Sequence, residues 1–152
     1  MEIRFLADCP HVIPTVADWL FNQFGYLEPA TTIELVERQL NQRLNTTGCP
    51  VTLLSFEGED LGGTASLIES DLDSRPDLSP WLADVYVHPS SRKHGHGVHL
   101  AQGIAECAKR SGFTKIYLYT ADQQSFFGRL GWVKLQDWQH HGTIITIMER
   151  EL

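Results

Sequence analysis

Between Val87 and Val98 the chain reads Val-His-Pro-Ser-Ser-Arg-Lys-His-Gly-His-Gly-Val, placing two glycines one residue apart among basic side chains. A turn of this kind between an apolar strand and an amphipathic helix aims backbone N–H groups and the positive end of a helix dipole at one point, which suits an anion. Gly95 and Gly97 have no Cβ, so a phosphate can approach the main chain and the turn can take positive φ. Arg92, Lys93 and, when protonated, His94 or His96 add charge. Neither common nucleotide fingerprint is met: Leu100 stands where GxGxxG needs its third glycine, and GxxxxGK[ST] is absent. On spacing alone, a turn that uses glycine for geometry only remains the alternative.

Other residues could move protons. Asp84 interrupts the apolar run Trp81–Val87 and, by strand alternation, shares a face with Tyr86 and His88. It either ends a hydrogen-bond or ion-pair network or acts as a general base. Tyr119, with Tyr117 and Tyr86 behind it, could donate a proton, although strand tyrosines commonly pack with the hydroxyl at a rim. Glu69, Asp71, Asp73 and Asp77 crowd the loop 69–80, where solvated charge or contact with an acceptor is expected. His88, His94, His96 and His99 invite a metal, but no cysteine or carboxylate stands at a suitable local spacing and they overlap the anion loop. No metal is therefore expected, and these histidines read as exposed and partly cationic. His140 and His141 fall in a turn, exposed by default. Trp81, after the acidic loop, could flank an acceptor pocket.

These groups need elements to hold them. Ile3–Leu6 reads as a strand, and Ile13, Ala17, Leu20, Phe21 and Phe24 as one helical face ending at Gly25. Thr31 and Glu34 suggest a capping box for a second helix with Ile33, Val36, Leu40 and Leu44 inward. Val51–Phe56 and Leu61–Ile68 form a hairpin, and Trp81–Val87 a strand buried on both faces. A helix follows from Val98 to Arg110, then a strand over Ile116–Thr120 and a short helix from an Asp122 cap to Leu130. Strands over Trp132–Leu135 and Thr143–Met148 close the chain. Alternating strands and helices make an α/β (α+β) mixed sheet with helices on its faces.

Composition bounds the function. One domain, residues 1–152, fits a chain of 152 residues with 42% hydrophobic content. Twelve Lys and Arg against nineteen Asp and Glu give a net charge of −7, which disfavours nucleic acid and anionic membranes as partners and favours a cationic amine. Cys9, Cys49 and Cys107 are scattered, as free thiols in a reducing cytoplasmic setting would be. No signal-like N-terminus or long apolar run points to secretion or a membrane.

Leu82-Ala-Asp-Val-Tyr-Val-His-Pro89, Arg92-x-x-Gly95-x-Gly97 and Phe126-Phe-Gly-Arg-Leu-Gly-Trp132 together resemble the GNAT superfamily of acyl-CoA-dependent N-acetyltransferases. The specific match lies in the second half of the chain; the first half agrees in element order. The resemblance implies a mostly antiparallel sheet of about seven strands with about four helices. It implies acetyl-CoA (coenzyme A) as cosubstrate and no metal. Amides from Arg92, Lys93, His94, Gly95, His96, Gly97 and Val98 would hold its pyrophosphate. The main chain of Val85 and Val87 would pair with the pantetheine arm, the fourth and fifth strands would splay into an acyl channel, and Phe127 would lie near the thiol end.

The implied reaction is direct attack of a primary amine on the thioester in a ternary complex. A lysine amine, pKa ~10.4, must first lose a proton; Asp84 is the candidate base. Many members carry a tyrosine as acid where this chain has Phe127, leaving Tyr119 as the candidate here and a noncatalytic acyl-CoA-binding module as the alternative. Thr120-Ala-Asp-Gln-Gln-Ser-Phe-Phe resembles peptide-directed members. The expected partner is a small-molecule or peptide amine, and the final strand could offer an edge for a homodimer.

Overall fold

A computed structural model describes residues 1–152. Seven strands, β1 (Glu2–Phe5), β2 (Val51–Glu57), β3 (Asp60–Ile68), β4 (Trp81–Val87), β5 (Lys115–Thr120), β6 (Val133–His140) and β7 (Thr143–Glu151), build one sheet. Its order is β1-β2-β3-β4-β5-β7-β6, with only β4 and β5 parallel. Four α-helices cover it: α1 (Ile13–Phe24), α2 (Ile33–Asn41), α3 (His96–Arg110) and α4 (Gln124–Arg129). No helix is long and apolar enough to cross a membrane.

The apolar stripe of α3, with Leu100, Ala101, Ile104 and Ala108, packs on Leu53, Ala65, Leu67 and Leu82 of the sheet. Leu100 and Ile104 are fully buried, each worth about 2 kcal/mol of transfer free energy. On the opposite face α1 and α2 cover Leu54 and Phe56 through Val16, Leu20 and Leu40. Coverage on both sides explains why burial is continuous along β2 and most of β3.

Several boundaries move for local physical reasons. Thr32, not Thr31, caps α2, its hydroxyl accepting from Leu35 N at 3.1 Å. That helix stops at Asn41, which frees Arg43 to turn toward the sheet. Gly95, at φ 85°, turns the chain early enough for α3 to begin at His96 rather than Val98. Asp122 does not cap α4; instead Gln123 N donates to Thr120 Oγ1 at 2.9 Å. The last strand is not an edge. β7 pairs on both sides and hides Ile145 and Ile147, leaving β1 and β6 outermost.

Alternation fails in β4, with consequences for its one charge. Thr64 pairs with Tyr86 and Ser66 with Ala83, so β4 carries one more residue than β3 between these points. This bulge spans Asp84 and Val85, with Asp84 at φ 56°. Leu82, Val85 and Val87 face the α3 core, whereas Trp81 and Ala83 face the other side. Without the extra residue, Asp84 would follow Leu82 into apolar packing. With it, Asp84 Oδ2 meets Arg43 Nη1 at 2.7 Å, and the same nitrogen donates to Ser66 Oγ at 3.2 Å. Arg43→Ala leaves a carboxylate and a buried hydroxyl without that partner. We expect it to cost about 3 kcal/mol, the low end for a buried pair because Asp84 retains some solvent, read from the urea unfolding midpoint at constant slope.

Candidate functional site

The parallel strands β4 and β5 share a single register pair, Trp81 with Tyr117, reinforced by Tyr117 N donating to the Pro80 carbonyl at 3.0 Å. Beyond it they diverge. The cleft between them, about 1290 Å³, has Leu82–Val87 on one wall and Leu118–Gln123 on the other. The β4 edge facing it has no strand partner past that pair, so an extended ligand can lie along the main chain of Val85 and Val87 as an added strand would.

One end of the cleft suits an anion. Lys93 and Gly95 both take positive φ, 68° and 85°, a loop geometry that brings successive amides to face one space. α3 starts there with no side-chain cap and no acid in its first turn. The His96, Gly97 and Val98 amides therefore lack helical acceptors. Ser91, Arg92, Lys93, Gly95 and Val98 line the same end, and Arg92 Nε donates to the Val87 carbonyl at 3.0 Å, laying its guanidinium along the β4 edge. A Cβ at Gly97 would stand 3.1 Å from Phe126 Cζ and 3.7 Å from Val87 Cγ2, inside the cleft wall.

The histidines divide differently from expectation. His96 is buried, not exposed: its Nδ1 lies 2.7 Å from Ser55 Oγ and its Nε2 3.5 Å from Glu57. Gly62 leaves room for that ring, since a Cβ there would lie 2.5 Å from His96 Cε1. His96 thus offers the cleft its main chain, while its imidazole pins the start of α3 to β2. His94 lies outside the cleft, in a separate depression with Trp19, Glu57 and His88. His88, His94, His96 and His99 do not converge as ligands.

Near the middle, Phe127 is buried in the α3 core, edge-on to Phe126 and Trp132. Both phenylalanines reach the cleft wall. Tyr119 packs in the opposite cluster, its ring 5.8 Å from His140 and 6.3 Å from Trp81. Burial, and after it the charges of Asp71, Glu28 and Asp84, pushes its phenol well up, so the hydroxyl stays protonated. Trp81 itself is fully buried, its Nε1 donating to the Leu78 carbonyl at 2.8 Å. It supports the pocket from behind rather than flanking it.

The other end is acidic. Asp71 is not the solvated loop charge its neighbours suggest. Leu72 and Leu78 are buried and pin the loop to the sheet, which turns Asp71 into the cleft. There burial, and then the charge of Asp84, raises its carboxyl well above the usual range. Asp77 stays outside, bound by both nitrogens of an Arg75 fork at 3.0 Å. Glu28, Asp73 and Asp84 share the acidic end with Asp71, and Arg43 faces them. Across the mouth, His140 Nε2 lies 2.6 Å from Glu28 Oε1. The apolar neighbours of Asp71 were the available sequence signal for its inward turn; nothing local linked Glu28 to a histidine 112 residues away.

The model of the acetyltransferase (GNAT) family matches residues 13–132. Among solved structures, an aminoglycoside 6'-N-acetyltransferase complexed with coenzyme A superposes with TM-score 0.76 at 14% identity, over 99% of this chain and 97% of that one. A ribosomal-protein-alanine N-acetyltransferase from Brucella melitensis gives 0.75 at 18% identity, over all of both chains. The acetyltransferase yncA from Salmonella typhimurium, solved with acetyl-CoA, gives 0.70 at 20%, over 100% and 94%. No curated protein matches the sequence.

Proposed function

The chain belongs to the acetyltransferase (GNAT) family; from that premise we propose that it is an acetyl-CoA-dependent N-acetyltransferase in which a cationic primary amine enters the acidic end of the cleft and gives its proton to Asp71, with Asp84 beside it. One observation carries this reading. β4 and β5 part beside an uncapped helix N-terminus and lead straight to a carboxylate whose proton affinity is raised.

The parts divide as follows. Amides of the Arg92–Val98 loop, with Arg92 and Lys93, hold the pyrophosphate, and the β4 main chain at Val85 and Val87 orients the pantetheine arm. His94 contributes only through its position in the loop. Acetyl-CoA supplies the thioester. Asp71 takes one proton from the ammonium, the neutral nitrogen bonds to the acetyl carbon as the carbon–sulfur bond breaks, and the nitrogen's second proton leaves with the sulfur, giving coenzyme A as its thiol. Asp84 already has Oδ2 on Arg43, so Asp71 is the member that takes the proton. Tyr119, kept protonated, donates a hydrogen bond to the departing sulfur, which Phe127 cannot do.

Glu28, Asp71, Asp73 and Asp84 against Arg43 leave this end negative, which favours an acceptor with more than one positive charge, such as a polyamine, an aminoglycoside or a lysine-bearing peptide. Three free thiols fit a reducing, cytoplasmic setting. A homodimer would use the β6 edge, where Val133 and Leu135 are exposed.

Calorimetric titration with acetyl-CoA at fixed salt, followed by turnover on a panel of amines, tests the assignment. Binding and turnover are expected, with kcat/KM highest for polycations and falling as salt rises. Absence of acetyl-CoA binding would remove the loop assignment. Equal turnover of neutral monoamines, insensitive to salt, would remove the acceptor class.

A further inference from the structure

At the mouth of the cleft, the loop after α1 and the β6–β7 turn bring together three side chains that neither hold the coenzyme nor move a proton in the reaction proposed above. Glu28 Oε1 lies 2.6 Å from His140 Nε2 and Glu28 Oε2 lies 3.7 Å from His141 Nε2. One donor atom from each of the three falls within 4.8 Å of the others, and the two imidazole centroids are 4.4 Å apart. A tetrahedral zinc ion with bonds of about 2.0–2.1 Å sets its donors roughly 3.4 Å apart. Side-chain adjustments of about an ångström therefore suffice to bring this trio onto one ion.

The backbone places the third donor. β6 and β7 join through His141-Gly142, with φ of 46° and 81°. Positive φ at both central positions is the hairpin geometry for which Asn-Gly is preferred. Histidine is among the residues that adopt this conformation more readily than most. The left-handed conformation holds the His141 ring against His140 and Glu28. His140 is nearly buried while Glu28 and His141 are partly open, so the trio has one fixed donor and two that solvent can reach.

We propose that Glu28, His140 and His141 bind a divalent cation of the zinc class. Two imidazoles and a carboxylate match its preferences better than those of magnesium or calcium, which take oxygen donors. The ion would tie the loop after α1 to the β6–β7 turn. All three ligands line the cleft, so the added positive charge would oppose entry of a cationic amine. The site is not needed for acetyl transfer; it acts as an inhibitory clasp.

Zinc binding to the purified full chain, measured by titration in competition with a chromophoric chelator, tests this apart from any activity. His141→Asn suits the turn and removes one ligand; Glu28→Gln keeps the shape and removes the charge. Even loss of a hydrogen-bonded neighbour of a ligand costs about 10–100-fold in metal affinity, so each variant should bind at least about 10-fold more weakly. Acetyl-CoA affinity, measured alongside, should not change, and zinc should raise KM for the amine in the parent chain only. Failure of the parent to bind one zinc per chain would overturn the proposal. So would affinity in both variants equal to the parent's, which would place the ion elsewhere. Neither result bears on acetyl-CoA binding, so the function proposed above stands or falls separately.

Discussion

Gly97→Leu weakens acetyl-CoA binding by at least about 100-fold, near 2.7 kcal/mol, while the protein stays folded. The second residue of α3 has its Cα facing the cleft, and the space beyond is already bounded by Phe126 and Val87 at 3.1 and 3.7 Å from where a Cβ would sit. A leucine side chain must either displace Phe126 or extend into the room left for the pyrophosphate and pantetheine. The helix itself favours the change, because leucine has a higher helix propensity than glycine. The core face of α3, Leu100 to Ala108, is untouched. Calorimetry reads the affinity and circular dichroism the fold. Unchanged affinity in a folded variant would mean that this turn is not the coenzyme site.

The second large effect is chemical. Asp71→Asn should lower kcat by about 100-fold or more, the usual worth of a general base, with acetyl-CoA affinity nearly unchanged because Asp71 lies at the far end of the cleft from the loop. The pH profile gives the sharper test. Burial first, and Asp84 second, raise the Asp71 carboxyl, whereas Arg43 lowers it. A base must be deprotonated to act, so kcat should fall on the acid side as pH drops through this raised value. Asp84→Asn removes the like charge and leaves Arg43 unopposed, and both changes favour ionised Asp71. The acid limb should therefore move to lower pH in Asp84→Asn and vanish in Asp71→Asn. An acid limb unmoved by Asp84→Asn would show that the pair does not set the proton acceptor.

What could be read from the residues follows from locality. The glycine turn was legible because a helix start needs only a few consecutive residues: Gly95 permits positive φ, and the stripe from Leu100 to Ala108 declares the helix. The hairpin β2–β3 and the buried strand β4 were legible from apolar runs broken at Glu57–Asp60 and Glu69–Pro80. The order of side chains along β4 was not. A bulge is one residue of register against a neighbour, and only the pairing of Thr64 with Tyr86 and Ser66 with Ala83 reveals it. Asp84 was thus identified as special, yet its partner Arg43, lying just past a helix that ends earlier than its pattern suggests, was not.

Composition, periodicity and the glycine turn by themselves determined that this chain forms a mixed α/β sheet with a glycine-bearing, uncapped start to its longest helix, because each of these is fixed by short-range sterics. Only the tertiary structure decided which carboxylates lie together. Asp71 was half-buried and turned into the cleft by a loop that Leu72 and Leu78 pin, His96 was turned inward onto Ser55, and Glu28 was set against His140 and His141 across the cleft mouth. Proton affinity and ligand geometry depend on desolvation and on distances of a few ångströms between residues far apart in sequence, and those exist only after the strands have paired and parted.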